Sequence, residues 1–376
     1  MTHLADLEPR RPRHWLIATP LAIVVALGVA WTALWFYAAG EAETRLNDWQ
    51  EQQAKGGRVF TCASRSVGGY PFRIEVRCGG VAAELKDAQP PIAIKLKEIL
   101  AVAQVWDPKL IIAEFTGPLT AGDVGGAPYV TATWGVAQAS VRGTPKTPER
   151  ASVVVDGLRL DGAQGNLFDS KRAEFHARVQ YGSWPHNPAV DIVVKLGSAA
   201  APAVHALAAQ PFDADILAVL HGIKDLAPKP MPARLREWQA AGGRLEIQNA
   251  RLAQAESLAN ATGTLALTQE GRLDGTLRLT VAGIERFMPT IGGEKAGTLS
   301  SLDRVAPALN AIERAVPGLV QRIPPQRQQT LQTGLLALLG QPAEIEGRKG
   351  IAAPLRFTDG KASLGPFPLG QVPPAF

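Results

Sequence analysis

Residues that serve catalysis and metal binding are scarce in this sequence. Its 376 residues include two cysteines and six histidines. The histidines form no HxxxH or HExxH arrangement and none lies near a cysteine, so no metal site is predicted. There is also no GxSxG elbow, no P-loop and no GxGxxG after a strand. We therefore predict no cofactor, no catalytic residue and no enzyme, although catalytic groups can also come from dispersed positions.

Strong charge of either sign is absent as well. The formal net charge is +5 and the isoelectric point is near 9.3, which is mild for a chain of this length. Such a surface is either simply solvated or helps association with anionic lipid headgroups. Aromatic and basic residues do not interleave as a nucleic-acid-binding groove requires, so we predict no nucleic-acid partner.

Charge is missing altogether from one long run near the N-terminus. Residues 16–39 read LIATPLAIVVALGVAWTALWFYAA, which is 24 residues without a charged side chain. As a helix this run would be about 36 Å long at ~1.5 Å per residue, enough to span a bilayer. Aromatic residues lie towards its two ends, as is usual at headgroup level: Trp15, Trp31, Trp35 and Tyr37. We predict a transmembrane helix over 16–39 that follows a tail of residues 1–15.

The charges that flank this run predict its orientation. Arg10, Arg11 and Arg13 precede it, whereas Glu41 and Glu43 follow it. The positive-inside rule then places the N-terminus in the cytoplasm and exports everything after residue 40. A cleaved signal peptide is the alternative, since small residues precede Glu41, but the apolar run is long for a signal peptide and favours an uncleaved anchor.

The two cysteines, Cys62 and Cys78, are interpreted through this topology. An oxidising compartment lets a cysteine pair persist as a disulfide. We therefore predict a bond between them; free buried thiols or a redox site are the alternatives, and CxxC spacing is absent. Between the cysteines lies a turn motif of Gly69, Tyr70, Pro71 and Phe72, where glycine tolerates positive φ and proline fixes its own φ: a typical break between strands.

Most of the exported chain is predicted to be β-structure. Alternating apolar residues indicate strands at 90–97 and 189–196, and the clearest hairpin is 263–283, with another turn at Asp359 and Gly360. The fold class is therefore mainly β, an antiparallel sheet with a few helices. Because about 335 residues exceed a typical single core, the sheet is expected to be elongated or two-lobed, with β-rich lobes at 58–210 and 211–376.

Helices are predicted at fewer places. Residues 41–57 read as a helical stalk that stops at two glycines. Apolar spacing predicts further helices at 233–243, 299–316 and 328–340, which could close the open face of a sheet. A helix is also predicted from DADILAVLHGI, residues 213–223, with an aspartate as its N-cap.

Several of these segments together resemble a known family. They are the N-terminal membrane helix, GGYPFRIEVRC with its upstream cysteine, WQAAGGRLEIQNARL, GTLALTQEGRLDGTLRLTV and the closing FTDGKASLGPFPLGQVPP. The chain after residue 12 resembles the bacterial envelope family catalogued as domain of unknown function 2125. The resemblance implies a protein of the Gram-negative inner membrane that faces the periplasm and has no assigned activity. The GYPF segment and the glycine-rich β repeats are also distantly similar to AsmA-like envelope proteins, which are long grooved β-structures implicated in moving or organising lipids.

Two functions fit these observations. One-sided apolar strands on an anchored ectodomain could form an apolar groove that binds lipid or another amphiphile and serves envelope maintenance. An ordinary packed core would show the same stripes. Alternatively the tethered protein is a scaffold or assembly partner for envelope complexes, since tethering raises the effective concentration of partners in the same membrane. The sequence names no ligand-binding residue for either function.

Overall fold

The computed structural model describes residues 15–144, 147–184, 188–225, 229–283, 340–365 and 367–376. Its two α-helices are α1, Trp15–Lys55, and α2, Met231–Ala240. A short 3-10 helix spans Ala206–Ala209. The rest of the regular structure is β-strand, in agreement with the mainly β class predicted from the sequence.

Seventeen strands form one sheet. Their bounds are β1 Arg58–Gly68, β2 Arg73–Leu85, β3 Ile92–Gln104, β4 Asp107–Asp123, β5 Pro128–Thr133, β6 Val136–Gly143, β7 Pro148–Gly162, β8 Gly165–Val179, β9 Ala189–Ala199, β10 Phe212–His221, β11 Arg244–Gln254, β12 Ser257–Leu267, β13 Leu273–Ala282, β14 Gln341–Ile345, β15 Arg348–Thr358, β16 Lys361–Leu364 and β17 Phe367–Gln371.

The sheet is an antiparallel meander in which neighbours along the chain are also neighbours in space. β5 and β6 share one position, because both pair with β4 on one side and with β7 on the other. After β13 the sheet continues into β15, which pairs on its other side with β14 and β16. Local hairpins thus satisfy most backbone hydrogen bonds, and the large antiparallel sheet predicted from the sequence is confirmed.

A twist is expected along this path, because neighbouring strands typically rotate by roughly 20–25°. Over the eight neighbouring pairs from β2 to β11 this rotation would accumulate to about 160–200°. Consistent with such a rotation, a cavity of about 720 Å³ is lined both by Leu85 and Asp87, at the end of β2, and by Lys229 and Met231, at the start of α2. The connection between β10 and β11 is thereby brought to the first strands.

Helix α1 joins the predicted membrane span and the predicted stalk in one element. It ends at Gly56 and Gly57, and Gly57 has a φ of +81°, a conformation that glycine adopts without strain. The helix is long and apolar enough to cross a membrane. Its C-terminal half lies along β1, where the rings of Trp49 and Phe60 are 4.9 Å apart and Gln50 Nε2 donates to Phe60 O.

The helix predicted at 213–223 is wrong, because residues 212–221 form strand β10. Asp213 and Asp215 are therefore not helix caps. β10 is paired on both sides, with β9 and with β11. Its backbone N–H and C=O groups are therefore hydrogen-bonded within the sheet rather than within a helix. The predicted helix at 233–243 is confirmed as α2.

Two other predictions have different outcomes. The lobe boundary at residue 210 stays a prediction, although β9 and β10 pair directly across it. The helices predicted at 299–316 and 328–340 lie outside the described residues, except for Gly340.

Both predicted hairpins are confirmed: β12 pairs with β13 over 258–282, and Asp359 and Gly360 form the turn between β15 and β16.

One glycine of the first hairpin gives a stability prediction. Gly275 has a φ of +138°, and a Cβ added there would lie 2.2 Å from Thr264 O on the neighbouring strand. We expect Gly275→Ala to lower the free energy of unfolding by about 1–3 kcal/mol through forced backbone displacement. Denaturant unfolding would measure it, with Gly370→Ala as control, because Gly370 has a φ of +137° and no atom within 4 Å of the added Cβ. Equal losses in the two variants would contradict the steric explanation.

Candidate functional site

One face of the sheet carries rows of side chains without charge. In an antiparallel sheet, paired residues point to the same face, so a row of successive partners can be followed across the strands. The central row runs Val67, Val76, Ala101, Ala113, Ala139, Val153, Phe175, Val194, Ile216, Ala250, Ala261, Leu279 and Ala353. Every member of this row is apolar.

The rows on either side have the same character. One runs Ile74, Ala103, Ile111, Val141, Ala151, Ala177, Ile192, Ala218, Ile247, Gly263, Leu277 and Leu355. The other runs Ala137, Val155, Ala173, Leu196, Ala214, Leu252, Ala259, Val281 and Ile351. We call these three rows the uncharged face.

The opposite side of the same strands, here called the charged face, differs sharply. On the charged face, directly behind the central row, lies a row that includes six charged residues: Arg77, Glu114, Glu174, Lys195, Asp215 and Arg251. Its ion pairs connect strands: Arg77 with Glu98 on β3 at 2.6 Å, and Lys195 with Asp215 at 3.3 Å. These charges thus lie behind the apolar rows, on a face that also carries apolar residues such as Ile112.

Hydrogen bonds keep carboxylates of the charged side ionised. The guanidinium of Arg172 donates to Glu174 and lowers the pKa of that carboxyl, and His176 adds to the effect. In the same way, Arg251 donates to Glu346 at 2.6 Å and lowers the pKa of Glu346. The side chains of Arg77, Lys195 and Asp215 are 48%, 52% and 45% exposed, so this side of the sheet is open to solvent.

The uncharged face is not a filled core in the part of the chain that the structure describes. No large side chain is fully buried there, and the buried apolar residues are mostly alanines. Ile111, Val141, Val153 and Phe175, all on this face, are exposed. An apolar surface of this extent is unusual for a protein surface in water, which makes it a candidate binding site.

The dimensions of the face follow from sheet geometry. The central row crosses twelve strand-to-strand steps, about 58 Å at ~4.8 Å per step. Rows two residues apart are about 7 Å apart, so the three rows span about 14 Å. The next row on the same face is also largely apolar, with Val179, Val190, Leu220, Leu245 and Leu265, so the three rows belong to a long apolar surface.

The predicted disulfide is present in the structure between Cys62 and Cys78, with their Cα atoms 5.5 Å apart. That spacing is typical of disulfides. The two cysteines are not cross-strand partners, since Cys62 pairs with Val81 and Cys78 with Arg65. Between these pairs the ladder is interrupted at Gly80, which has a φ of +58°. The bond therefore fastens β1 to β2 at an irregular point of their pairing.

The predicted turn motif connects β1 to β2 and contacts helix α1. The residues of this turn are Gly69, Tyr70, Pro71 and Phe72. The indole Nε1 of Trp31 donates to Pro71 O at 2.9 Å, and a hydrogen bond of 2.8 Å joins the hydroxyls of Thr32 and Tyr70. Sequence reasoning identified the turn but missed its contact with the helix, because a residue's distant partners leave no local signal.

Among the described residues, no three or more His, Cys, Asp or Glu side chains are grouped so that they could hold a metal ion. The pockets of the described part are open surface depressions such as the one beside Arg150 and Tyr181. The uncharged face is therefore the most extensive candidate site that the described part of the chain presents.

These features define a class of protein: a long, one-sided antiparallel β-sheet that follows an N-terminal helix able to cross a membrane. The chain belongs to a family of uncharacterized proteins conserved in bacteria, DUF2125, whose family model matches residues 35–373. The match includes both cysteines, the turn motif and every strand of the sheet. No curated protein and no solved structure matches the chain.

Proposed function

We propose that this protein binds the acyl chains of lipids or similar amphiphiles along the uncharged face. The central row carries the proposal, because it places apolar side chains on consecutive strands without a single charge. Burying apolar surface against hydrocarbon gains about 25 cal/mol per Å², so a long chain laid on this row gains binding energy along its whole length. Function in envelope maintenance would follow from such binding.

The proposal includes a location. α1 anchors the protein in the inner membrane through residues 16–39 as a single-pass helix, with the N-terminus in the cytoplasm and the sheet in the periplasm. The flanking charges support this orientation, and the Cys62–Cys78 disulfide supports an oxidising compartment. Lipid taken from the same membrane would then be the nearest ligand.

A photocrosslinking experiment tests the lipid proposal. Benzoylphenylalanine would replace Phe175, which is 39% exposed on the uncharged face, or Val136, which is 50% exposed on the charged face. After irradiation in cells, we expect phospholipid adducts at position 175 and none at position 136. Adducts with another protein at position 175 would instead favour the scaffold function. A crosslink from position 175 to residues 284–339 of the same chain would mean that the face is covered internally.

A further inference from the structure

We propose that two aromatic turns at one end of the sheet dock into the headgroup region of the bilayer that α1 crosses. The turns connect β1 to β2, at residues 69–72, and β3 to β4, at residues 105–106. This inference rests on the anchoring role proposed for α1 but not on lipid binding to the uncharged face. It assigns the sheet a fixed orientation towards the membrane.

The first turn is fixed to the apolar part of α1. The indole Nε1 of Trp35 donates to Arg73 O at 2.8 Å, parallel to the bond from Trp31 to Pro71 O. The ring of Tyr70 lies between those of Trp35, at 5.4 Å, and Phe36, at 6.4 Å. The level of the turn relative to the helix is therefore set by several specific contacts.

The helix residues that contact the first turn lie within the uncharged run, residues 16–39. The first charged residue after the run is Glu41, so Trp35 precedes it by 41 − 35 = 6 residues, about 9 Å along the helix at ~1.5 Å per residue. Residues 16–39 exceed the roughly 20 residues that a hydrocarbon core of ~30 Å requires. When α1 spans the bilayer, the turn is consequently held at the boundary between hydrocarbon and headgroups.

The surface of the two turns suits this boundary. Tyr70, Phe72 and Trp106 are all exposed. The ring centroids of Phe72, in the first turn, and Trp106, in the second, are 6.3 Å apart. Val105 N also donates to Phe72 O at 3.2 Å, which joins the two turns. Exposed aromatic rings are unfavourable in water but are enriched at the membrane interface, where their polar edges stay hydrated.

Charged groups beside the turns fit lipid phosphates. Lys109 is exposed beside the turns and can approach anionic headgroups, whereas the charge of Arg73 is paired within β2. The neighbouring carboxylates are already paired, Glu75 with Arg73 and Asp107 with Arg142, the latter at 2.6 Å. The turns therefore present aromatic rings with accompanying positive charge, the combination that an interfacial segment requires.

The docked turns would connect the bilayer to the uncharged face. Ile74 and Ala103, the first members of one of its rows, are paired with each other immediately above the turns. Phe72 precedes Ile74 by two positions and lies in the turn that leads into β2. An acyl chain that leaves the bilayer at the turns would thus meet the first apolar pair of this row beside the exposed Lys109.

The test uses the full chain in nanodiscs of phosphatidylethanolamine and phosphatidylglycerol. Benzoylphenylalanine would be placed at Phe72, which is 59% exposed, and at Val124, which is 42% exposed in the turn at the opposite end of β4. We expect phospholipid adducts at position 72 at least tenfold above those at position 124. Equal yields at the two positions, or none at position 72, would overturn the proposal. Benzoylphenylalanine at Trp106 provides a second site in case the first perturbs the turn.

The same nanodiscs separate this inference from the others. Retention of the protein in the disc reports the anchoring role of α1 and does not depend on the turns. Benzoylphenylalanine at position 175 reports the uncharged face. Adducts at position 175 without adducts at position 72 would overturn docking and leave lipid binding standing, whereas the reverse result would support docking and count against a lipid-binding face.

Discussion

Under the proposed function, replacing Ile111 by glutamate is expected to reduce the phospholipid bound to the uncharged face by about tenfold or more. Ile111 lies on the uncharged face and is 47% exposed, so the change alters the binding surface more than the interior of the sheet. An ionised carboxylate resists burial against hydrocarbon, and a loss of only about 1.4 kcal/mol already corresponds to a factor of ten. Native mass spectrometry of the full chain released from detergent would count the phospholipids that remain bound.

The adjacent residue provides the matched control. Ile112 is 41% exposed on the same strand, but its side chain points to the charged face. Ile112→Glu therefore introduces the same charge and nearly the same loss of apolar area, while leaving the uncharged face intact. Lipids that surround α1 would be equal in the two variants. If both variants lost lipid equally, or if neither did, the assignment of the uncharged face as the binding surface would be wrong.

Loss of the disulfide is expected to have the largest effect on stability. The disulfide closes a loop between two cysteines that are 16 positions apart in the sequence. Cys62→Ser would open this loop and lower the free energy of unfolding by about 3 kcal/mol, mainly because the unfolded chain gains conformational freedom. The loss should affect β1 and β2 first, because the bond joins them where their pairing is interrupted. Denaturant unfolding of the wild type and the variant would measure the difference.

Reduction of the wild type is the control for this prediction. Reduced wild-type protein should unfold at the same denaturant concentration as Cys62→Ser, since both lack only the covalent bond. An alkylating reagent should modify Cys78 in the variant and neither cysteine in the oxidised wild type. A free thiol in the wild type, together with unchanged stability of the variant, would contradict the disulfide.

Strands with clear alternation were predictable, and their common faces were not. The hairpin at 263–283 was predicted correctly because Leu277, Leu279 and Val281 alternate with polar residues in one short, local unit. Residues 212–221 were misread as a helix because Ala214 and Ala218 are good helix formers, and only pairing with both neighbours reveals a strand. The contact of the turn at 69–72 with α1 joins residues about 40 positions apart, which no local pattern reports.

The sequence by itself determined the apolar helix, the paired cysteines and the alternating character of many strands, because each depends on composition or on spacing within a few residues. Only the tertiary structure decided that the three apolar rows line up on one face across the strands. Register shifts between Leu96 and Glu98 and between Leu217 and Ala218 move a strand by one residue, which exchanges its two faces. The alternation within one strand does not reveal such shifts. The continuous uncharged face can therefore be recognised only when the register of every strand pair is known.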